Sequence, residues 1–272
     1  MLLKVTTINS DNGLPNEQVH AIDQDNFGRL WLASPTGLSR YNGSLIKIFD
    51  QTNAMECIGL RTVRVSPDGI VWIGTDRGIE AINIDGTKKK WKNFPEWSFG
   101  IAESILIAGT TIWAGTSFGL LKINDDTDKN ELQLLLKEDF GLVRCIIQKD
   151  ETNLLVASAK YGLLEYNETG WRHFNTIDLP RGDSITCMAL TNNHNVLVGT
   201  TKGLFLLDNS GKLIEHFTLP NDNNKVTALS VSGNEWWVGI GHSLLLVTKK
   251  DKGIQVIEKI NIAFDSIENR TV

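Results

Sequence analysis

Residues 30–38 read LWLASPTGL, and the same pattern of two short apolar runs around a small turn recurs five more times along the chain. Five of the six copies carry a glycine just before the second apolar run. The anchor residues of the six copies are Trp31, Trp72, Trp113, Leu155, Leu197 and Trp237. The intervals between them are 41, 41, 42, 42 and 40 residues. A fixed period of this length indicates a repeat architecture, so most of the conspicuous residues belong to the scaffold.

The first repeat unit reads as four short strands joined by turns. Residues 19–23 alternate as a strand, residues 29–33 form a second apolar strand, and residues 38–41 and 45–49 form the third and fourth. Asn42-Gly43 between the last two is a strong hairpin signal. Four antiparallel strands repeated every ~41 residues predict an all-β chain built as a β-propeller of four-stranded blades. The competing β-helix has shorter coils without regular hairpin turns, and the Gly-His and Trp-Asp landmarks of WD repeats are absent.

The period also predicts the domain organisation. One β-propeller domain is expected over residues 1–272, with units at about 13–50, 51–97, 98–140, 141–177, 178–218 and 219–260. Residues 261–272 resemble the start of a further unit or a tail. The sequence therefore predicts six repeats with an incomplete seventh, in a piece of a longer chain.

Composition excludes several classes of function. The chain has 272 residues, a net charge of −5 and 41% hydrophobic residues, which is typical of a globular protein with a sizeable core. The acidic balance gives no footprint for nucleic acid. No apolar stretch reaches the length of a membrane span, and the N-terminus is too short and too polar for a signal peptide. The five histidines have no metal-ligand spacing, so we expect neither a metal nor a cofactor.

One segment matches a catalytic motif. Residues 115–119 fit the G-x-S-x-G nucleophile elbow, which needs a sharp turn from a strand into a helix. The same slot reads GTDRG at residues 74–78 and GTTKG at residues 199–203, in the register of the repeat. We therefore interpret the motif as part of the repeat and expect the chain not to be an enzyme.

The best-preserved unit resembles a known family. Residues 19–43 carry the pattern V-x-A-I-x-x-D-x-x-G-x-L-W-L-A-S-x-x-G-L-x-R-Y-N-G, which closely resembles the two-component regulator propeller repeat. The resemblance implies the sensory region of a bacterial hybrid histidine kinase or cyclic-dinucleotide enzyme, and some members recognise polysaccharide fragments. It also implies a periplasmic location if a leader was removed; otherwise the chain would be cytoplasmic. A homodimer formed through attached domains is a further expectation.

Candidate ligand-binding residues follow from position in the propeller. Segments that enter the first strand of a blade and loops between its second and third strands lie on one face, where ligands usually bind. The residues predicted there are His20, Arg61, Arg77, Phe118, Arg144, Lys160, Tyr161, Arg181, Lys202, Lys225 and His242. The basic members would favour an anionic or sugar-acid ligand, and Phe118 or Tyr161 would stack on a sugar ring.

Three functions stay open at this point. The first is a non-catalytic sensor that binds a small molecule, an oligosaccharide or a protein partner on its loop face. The second is a propeller lyase or hydrolase with its site at the channel mouth, which would need an acid and a base, for instance His20 or His242 with Glu17 or Asp183. The third is a scaffold for protein interactions.

Overall fold

The computed structural model describes residues 7–56, 59–88, 100–124, 131–135, 141–174, 183–217, 219, 224–250 and 253–261. Within these ranges the chain forms 23 β-strands, one short 3-10 turn at Ser10–Asn12 and no α-helix. By its backbone contacts the chain divides into two units. The first comprises Met1–Gln148 with Ser158–Lys160, and the second comprises Lys149–Ala157 with Tyr161–Val272.

The first unit contains three consecutive antiparallel sheets and one further strand. Its strands are β1 (Ala21–Gln24), β2 (Leu30–Ser34), β3 (Gly37–Tyr41), β4 (Ile46–Phe49), β5 (Leu60–Val65), β6 (Ile70–Thr75), β7 (Gly78–Asn83), β8 (Ala102–Ala108), β9 (Thr111–Thr116), β10 (Gly119–Asn124), β11 (Glu131–Leu135) and β12 (Val143–Gln148). The sheet orders are β1-β2-β3-β4, β5-β6-β7 and β8-β9-β10-β11. On the other edge of β7, Lys88 forms an isolated bridge to Ile82.

The second unit contains the remaining strands, except that Ser158, the last residue of β13, belongs to the first unit. They are β13 (Leu154–Ser158), β14 (Gly162–Asn167), β15 (Gly170–His173), β16 (Ile185–Leu190), β17 (Val196–Thr200), β18 (Leu204–Leu207), β19 (Leu213–Phe217), β20 (Val226–Ser232), β21 (Glu235–Ile240), β22 (Ser243–Lys249) and β23 (Ile254–Asn261). The fifth and sixth sheets run β16-β17-β18-β19 and β20-β21-β22-β23, and the fourth sheet has the order β12-β13-β14-β15.

Six sheets, each built from one continuous segment in simple up-and-down order, confirm the prediction of an all-β β-propeller. Within the first unit, β1 packs against β5, β5 against β8 and β8 against β12. Within the second unit, β16 packs against β20. Within each unit the first strands of these sheets are thus neighbours. Residues 262–272, which the repeat suggested as the start of a further unit, lie outside the described residues.

The cores lie between successive sheets. Trp31 and Trp72 are fully buried, and the ring of Trp31 stacks on that of Phe49 with centroids 5.3 Å apart. Burying an aromatic ring of this size contributes about 3–5 kcal/mol, judged by the cost of truncating it. In the sixth sheet the deeply buried tryptophan is Trp236, while the anchor Trp237 is half-buried.

The Asp-x-x-Gly turn of the first unit has a structural role. The buried carboxylate of Asp25 accepts hydrogen bonds from the backbone N–H groups of Phe27 and Arg29, from Arg29 Nε at 2.7 Å and from Trp31 Nε1 at 2.9 Å. Burial alone would raise the pKa of Asp25, but the hydrogen bonds from Trp31, Arg29 and Phe27 outweigh it and hold this pKa below its ordinary value. The acidic turn therefore orients the tryptophan.

Candidate functional site

A β-bulge recurs at the same place in the first strands of four sheets. The register of pairing shifts between Leu60 and Thr62, and the equivalent shift occurs in β8, β16 and β20. The extra residues at these bulges, which we call the bulge row, are Arg61, Glu103, Thr186 and Thr227. A bulge leaves one residue out of the ladder and re-aims its side chain, and bulges are frequent beside functional sites.

Segments that enter a sheet meet the loop between its second and third strands. In four sheets the second strand ends in a serine or a threonine. The next residue donates its backbone N–H to a carbonyl of the segment that leads into the first strand of the same sheet. The donor and acceptor pairs are Asp76 to Gly59 at 3.2 Å, Ser117 to Ile101 at 2.9 Å, Ala159 to Leu142 at 2.9 Å and Thr201 to Ser184 at 3.0 Å. We call this end of each sheet the loop end. The two predicted sets of loops therefore lie together at one end of each of these sheets.

Four predicted residues occupy equivalent tips at the loop end. The backbone N–H groups of Arg77, Phe118, Lys160 and Lys202 each donate to the hydroxyl two residues earlier, at 3.1 to 3.2 Å. Three of those hydroxyls in turn donate to the carbonyl of the next glycine, as Thr75 does to Gly78 at 3.1 Å. These bonds fix the backbone of the turn. All four tip side chains are exposed, and the ring of Phe118 is 55% exposed.

The Arg61 guanidinium is held by a carboxylate of its own sheet. Its Nε donates to Oδ1 of Asp76 at 2.7 Å. This hydrogen bond raises the pKa of Arg61 above its ordinary value, while burial acts the other way and the charges of Asp76 and Glu103 add to the rise. The loop end of the second sheet is therefore a mixed-charge surface rather than a purely basic one.

The predicted residue His20 takes part in a hydrogen bond between neighbouring sheets. Its Nδ1 lies 2.7 Å from the carbonyl oxygen of Leu60. Because a carbonyl can only accept, Nδ1 carries a proton in this contact. Thr186 makes the equivalent bond in the second unit, where its hydroxyl donates to the carbonyl of Val226 at 2.7 Å. Part of the role of His20 is therefore to connect two sheets.

The other predicted residues are distributed over both units. In the first unit Arg144 is exposed on β12, at the sequence position of the bulge row. In the second unit the half-buried ring of Tyr161 meets His173 edge-on, with centroids 6.4 Å apart, while Lys225 and His242 are exposed. Arg181 lies outside the described residues.

Glu103 is the residue that sequence reasoning missed. It follows Arg61 by 42 residues and precedes Arg144 by 41, so the repeat places it at the same position in the third sheet. Its charge acts on Arg61. The repeat period already places Glu103 at the position of Arg61 and Arg144, but a search limited to basic residues does not find an acid there.

Three other possibilities raised by the sequence can be examined in the described part of the chain. A nucleophile elbow needs a helix directly after the serine, but Ser117 lies in the turn between the strands β9 and β10. Its hydroxyl accepts a hydrogen bond from the backbone N–H of Ile101 at 3.2 Å. Over the described ranges no three His, Cys, Asp or Glu side chains are grouped to hold a metal ion. Nor does any helix there have the length and apolarity to cross a membrane.

One protein family matches part of the chain. The family described as the two component regulator propeller matches residues 13–36, which lie in the first unit. This confirms the resemblance at the unit that carries its motif best. No curated protein matches the sequence.

Several solved protein structures are similar to this chain in fold, and one of them comes from a two component system. The extracellular domain of a hybrid two component system from B. thetaiotaomicron has a TM-score of 0.75 at 19% identity, covering 96% of this chain and 38% of that one. Virginiamycin B lyase from Staphylococcus aureus, a catalytically inactive variant with quinupristin, has a TM-score of 0.74 at 18% identity, with 93% and 88% covered. PorZ, a surface component of the type-IX secretion system of Porphyromonas gingivalis, has a TM-score of 0.65 at 15% identity, with 90% and 33% covered. At these identities the likeness is one of fold, and this chain spans well under half of the two component protein.

Proposed function

We propose that the chain is a non-catalytic sensor propeller of a bacterial two-component or cyclic-dinucleotide signalling protein. The family repeat at residues 13–36 supports this assignment. The similar extracellular domain of a hybrid two component system supports it further and favours a periplasmic location. The ligand binds at the loop end and is a carbohydrate or another small anionic molecule; a protein partner is the alternative occupant.

The observation that carries the proposal is the bulge row. The same bulge shapes the backbone in four sheets, yet its extra residue is an arginine in the second sheet, a glutamate in the third and a threonine in the fifth and sixth. Arg144 has the equivalent sequence position in the fourth sheet. Scaffold positions such as the buried tryptophans and the turn glycines recur from unit to unit instead. Variable side chains on a constant frame are the arrangement expected for recognition.

The chemistry of the loop end favours a sugar that bears a carboxylate. Arg61 keeps its Nη groups for a second acceptor while Asp76 holds its Nε. The carboxylate of Glu103 accepts hydrogen bonds from hydroxyl groups, which a simple anion lacks. The exposed ring of Phe118, which lies against Gly100, offers an apolar face to a sugar ring. A sugar acid combines a carboxylate, hydroxyl groups and an apolar ring face in one molecule.

A lyase remains the second candidate because virginiamycin B lyase shares the fold. It would need an acid and a base at the loop end. His20, one of the two histidines considered for this role, bonds a backbone carbonyl through Nδ1, and Glu17 accepts a hydrogen bond from Ser10 Oγ at 3.0 Å. Neither contact couples the two residues. Turnover of an acidic oligosaccharide or a lactone that is lost in His20→Ala would favour the enzyme.

Ligand-induced stabilisation tests the proposal. The melting temperature is measured with glucuronate, galacturonate and their oligomers, and with neutral sugars of matched size. A ligand that binds the folded state raises it. The variant Arg61→Gln with Arg144→Gln should lose the shift. Arg64→Gln with Lys212→Gln has the same net charge and removes exposed cations elsewhere, so it should keep the shift. An equal shift in both double variants would refute the proposed site.

A further inference from the structure

The sixth sheet leaves open a face that other sheets cover. In the fifth sheet, the anchor Leu197 and the residue Leu204 lie in the core that this sheet shares with the sixth. We call this side of a sheet its leading face. The register of pairing places Trp237 and Leu244 at the same positions in the sixth sheet. Both are half-buried, whereas the five other anchors are at most 7% exposed. Ala228, beside them on β20, is exposed.

A glycine on the leading face shows what covers it elsewhere. A methyl group added to Gly199 would lie 2.6 Å from Cγ1 of Val226, in the first strand of the next sheet. The equivalent glycines of the second and third sheets also meet the first strand of the sheet that follows. At Gly239 the nearest atoms belong to Thr227 and Ala228 of its own sheet. The leading face of the sixth sheet is therefore shaped to receive the first strand of another sheet.

The first sheet exposes the other half of such a junction. Val19 stands at the repeat position of Val226, and Ile22 at that of Leu229. Val19 is 38% exposed and Ile22 is 53% exposed. The residues at the position of Val19 in the later sheets are at most 5% exposed: Leu60, Ala102, Val143, Ile185 and Val226. We call this side of a sheet its trailing face.

The two open faces match in chemistry and in register. The named residues of both faces are uncharged and apolar, so bringing the faces together buries no unpaired charge. Inside the chain Val226 packs on Gly199. Gly239 stands at the position of Gly199, and a valine at the position of Val226 is present in the first sheet. Contiguous exposed apolar surface of this kind marks an interaction site.

We propose that the leading face of the sixth sheet binds the trailing face of the first sheet of a second copy of this chain. The contact repeats, between two molecules, the junction that joins the fifth sheet to the sixth within one. It joins two different surfaces, so it is a heterologous contact and builds head-to-tail assemblies. Burial of Ile22 and Ala228 favours the association, because apolar surface is removed from water. The interface goes beyond the proposed sensor function and uses neither Arg61 nor Arg144.

Sedimentation equilibrium of the unaltered chain is the first test. Its average mass should rise above that of a monomer as the concentration is raised. Ala228→Arg blocks the leading face and Ile22→Arg blocks the trailing face. Both residues are exposed, so the new charge stays hydrated in the monomer and is buried only in the complex. Each variant should associate at least about tenfold more weakly. Ile214→Arg, which replaces an exposed isoleucine on β19, is the matched control and should associate as the unaltered chain does.

A mixture of the two blocked variants tests the head-to-tail arrangement. The Ala228→Arg chain keeps a free trailing face, and the Ile22→Arg chain keeps a free leading face. Each should be a monomer alone, and an equimolar mixture should form a one-to-one dimer and nothing larger. Circular dichroism shows that the variants are folded. A contact between two identical surfaces would instead give no new species on mixing.

Disulfide trapping tests the register. Sγ of Cys187 and Cγ1 of Val226 both lie within 2.6 Å of the methyl position at Gly199, so these two side chains meet in the internal junction. Ala228→Cys and Val19→Cys place thiols at the equivalent positions of the two faces. Under mild oxidation the mixed variants should give a covalent dimer that neither gives alone. An unaltered chain that stays monomeric at every concentration would overturn the proposal. So would association that persists in a folded Ala228→Arg or Ile22→Arg chain, or a mixture that gives no dimer.

Discussion

Arg61 and Asp76 are joined by a hydrogen bond of 2.7 Å between Nε and Oδ1, which connects the bulge of β5 to the loop between β6 and β7. The backbone at Gly59 leaves the space for this pair. A methyl group on Gly59 would overlap the Asp76 carboxylate, and the residue has a φ of +73°. Gly100 and Gly141 stand at the same position in the next two units and also have positive φ. The conformation of these glycines therefore shapes the loop end.

The first prediction concerns this glycine. Gly59→Ala should destabilise the chain by more than the ~1–2 kcal/mol that a left-handed alanine costs, because the new methyl group also displaces Asp76. Gly109→Ala is the matched control: its φ is +62° and nothing lies within 4 Å of the added carbon. Urea unfolding measures both. Equal losses of unfolding free energy in the two variants would show that the placement of the Asp76 carboxylate does not depend on the space at Gly59.

The second prediction concerns the strength of the Arg61–Asp76 pair. Both side chains are partly exposed, at 34% and 46%, so the pair should contribute only about 0.2–1 kcal/mol to the free energy of unfolding. A double-mutant cycle with Arg61→Gln and Asp76→Asn measures this coupling. The coupling should fall further in 1 M salt, since salt screens exposed charges. A value well above this range would mean that the pair is a structural element rather than a surface contact.

The third prediction concerns acid stability. Asp25 has a lowered pKa in the folded state, so its contribution to stability is present above the unfolded-state pKa of about 4 and is lost as the pH falls through the folded-state value. Asp25→Ala should cost at least about 3 kcal/mol at pH 7, because it leaves Arg29 and Trp31 without their acceptor.

The difference in unfolding free energy between the unaltered chain and Asp25→Ala should become smaller as the pH is lowered towards 3. Unfolding free energies over a pH series measure it. Glu235→Gln, which removes an exposed carboxylate, serves as the control and should show a small, nearly constant difference. A difference for Asp25→Ala that does not change with pH would contradict the assignment of an ionised, hydrogen-bonded Asp25.

The fold could be predicted from the sequence because its signal is repeated. Residues 30–38 alone are compatible with several structures, but six copies at a nearly constant interval require one supersecondary unit per period. The turns at Asn42-Gly43 and Asp25-Asn26-Phe27-Gly28 then set the strand ends within about one or two residues. The anchor in the sixth unit was less predictable, because Trp236 and Trp237 are adjacent and only packing decides which one is buried.

The candidate site could be predicted only in outline. Repeat register placed His20, Arg61 and the loop tips at one end of their sheets, but it could not show that Leu60 and Asp76 hold two of these side chains. Such contacts depend on the bulge and on neighbouring sheets.

The binding of an acidic oligosaccharide to three forms of the chain tests the central claim most directly. Trigalacturonate is titrated calorimetrically into the unaltered chain, into Arg61→Gln with Arg144→Gln, and into Glu103→Gln. If Arg61 and Arg144 recognise the carboxylates, the arginine variant should bind at least about tenfold more weakly, because charge-assisted hydrogen bonds are lost. Glu103→Gln should bind more tightly, because the substitution removes a negative charge that repels the carboxylates of the ligand. The glutamine amide can still form hydrogen bonds with the hydroxyl groups of the ligand. The same affinity in all three proteins, or no binding to any of them, would contradict the account.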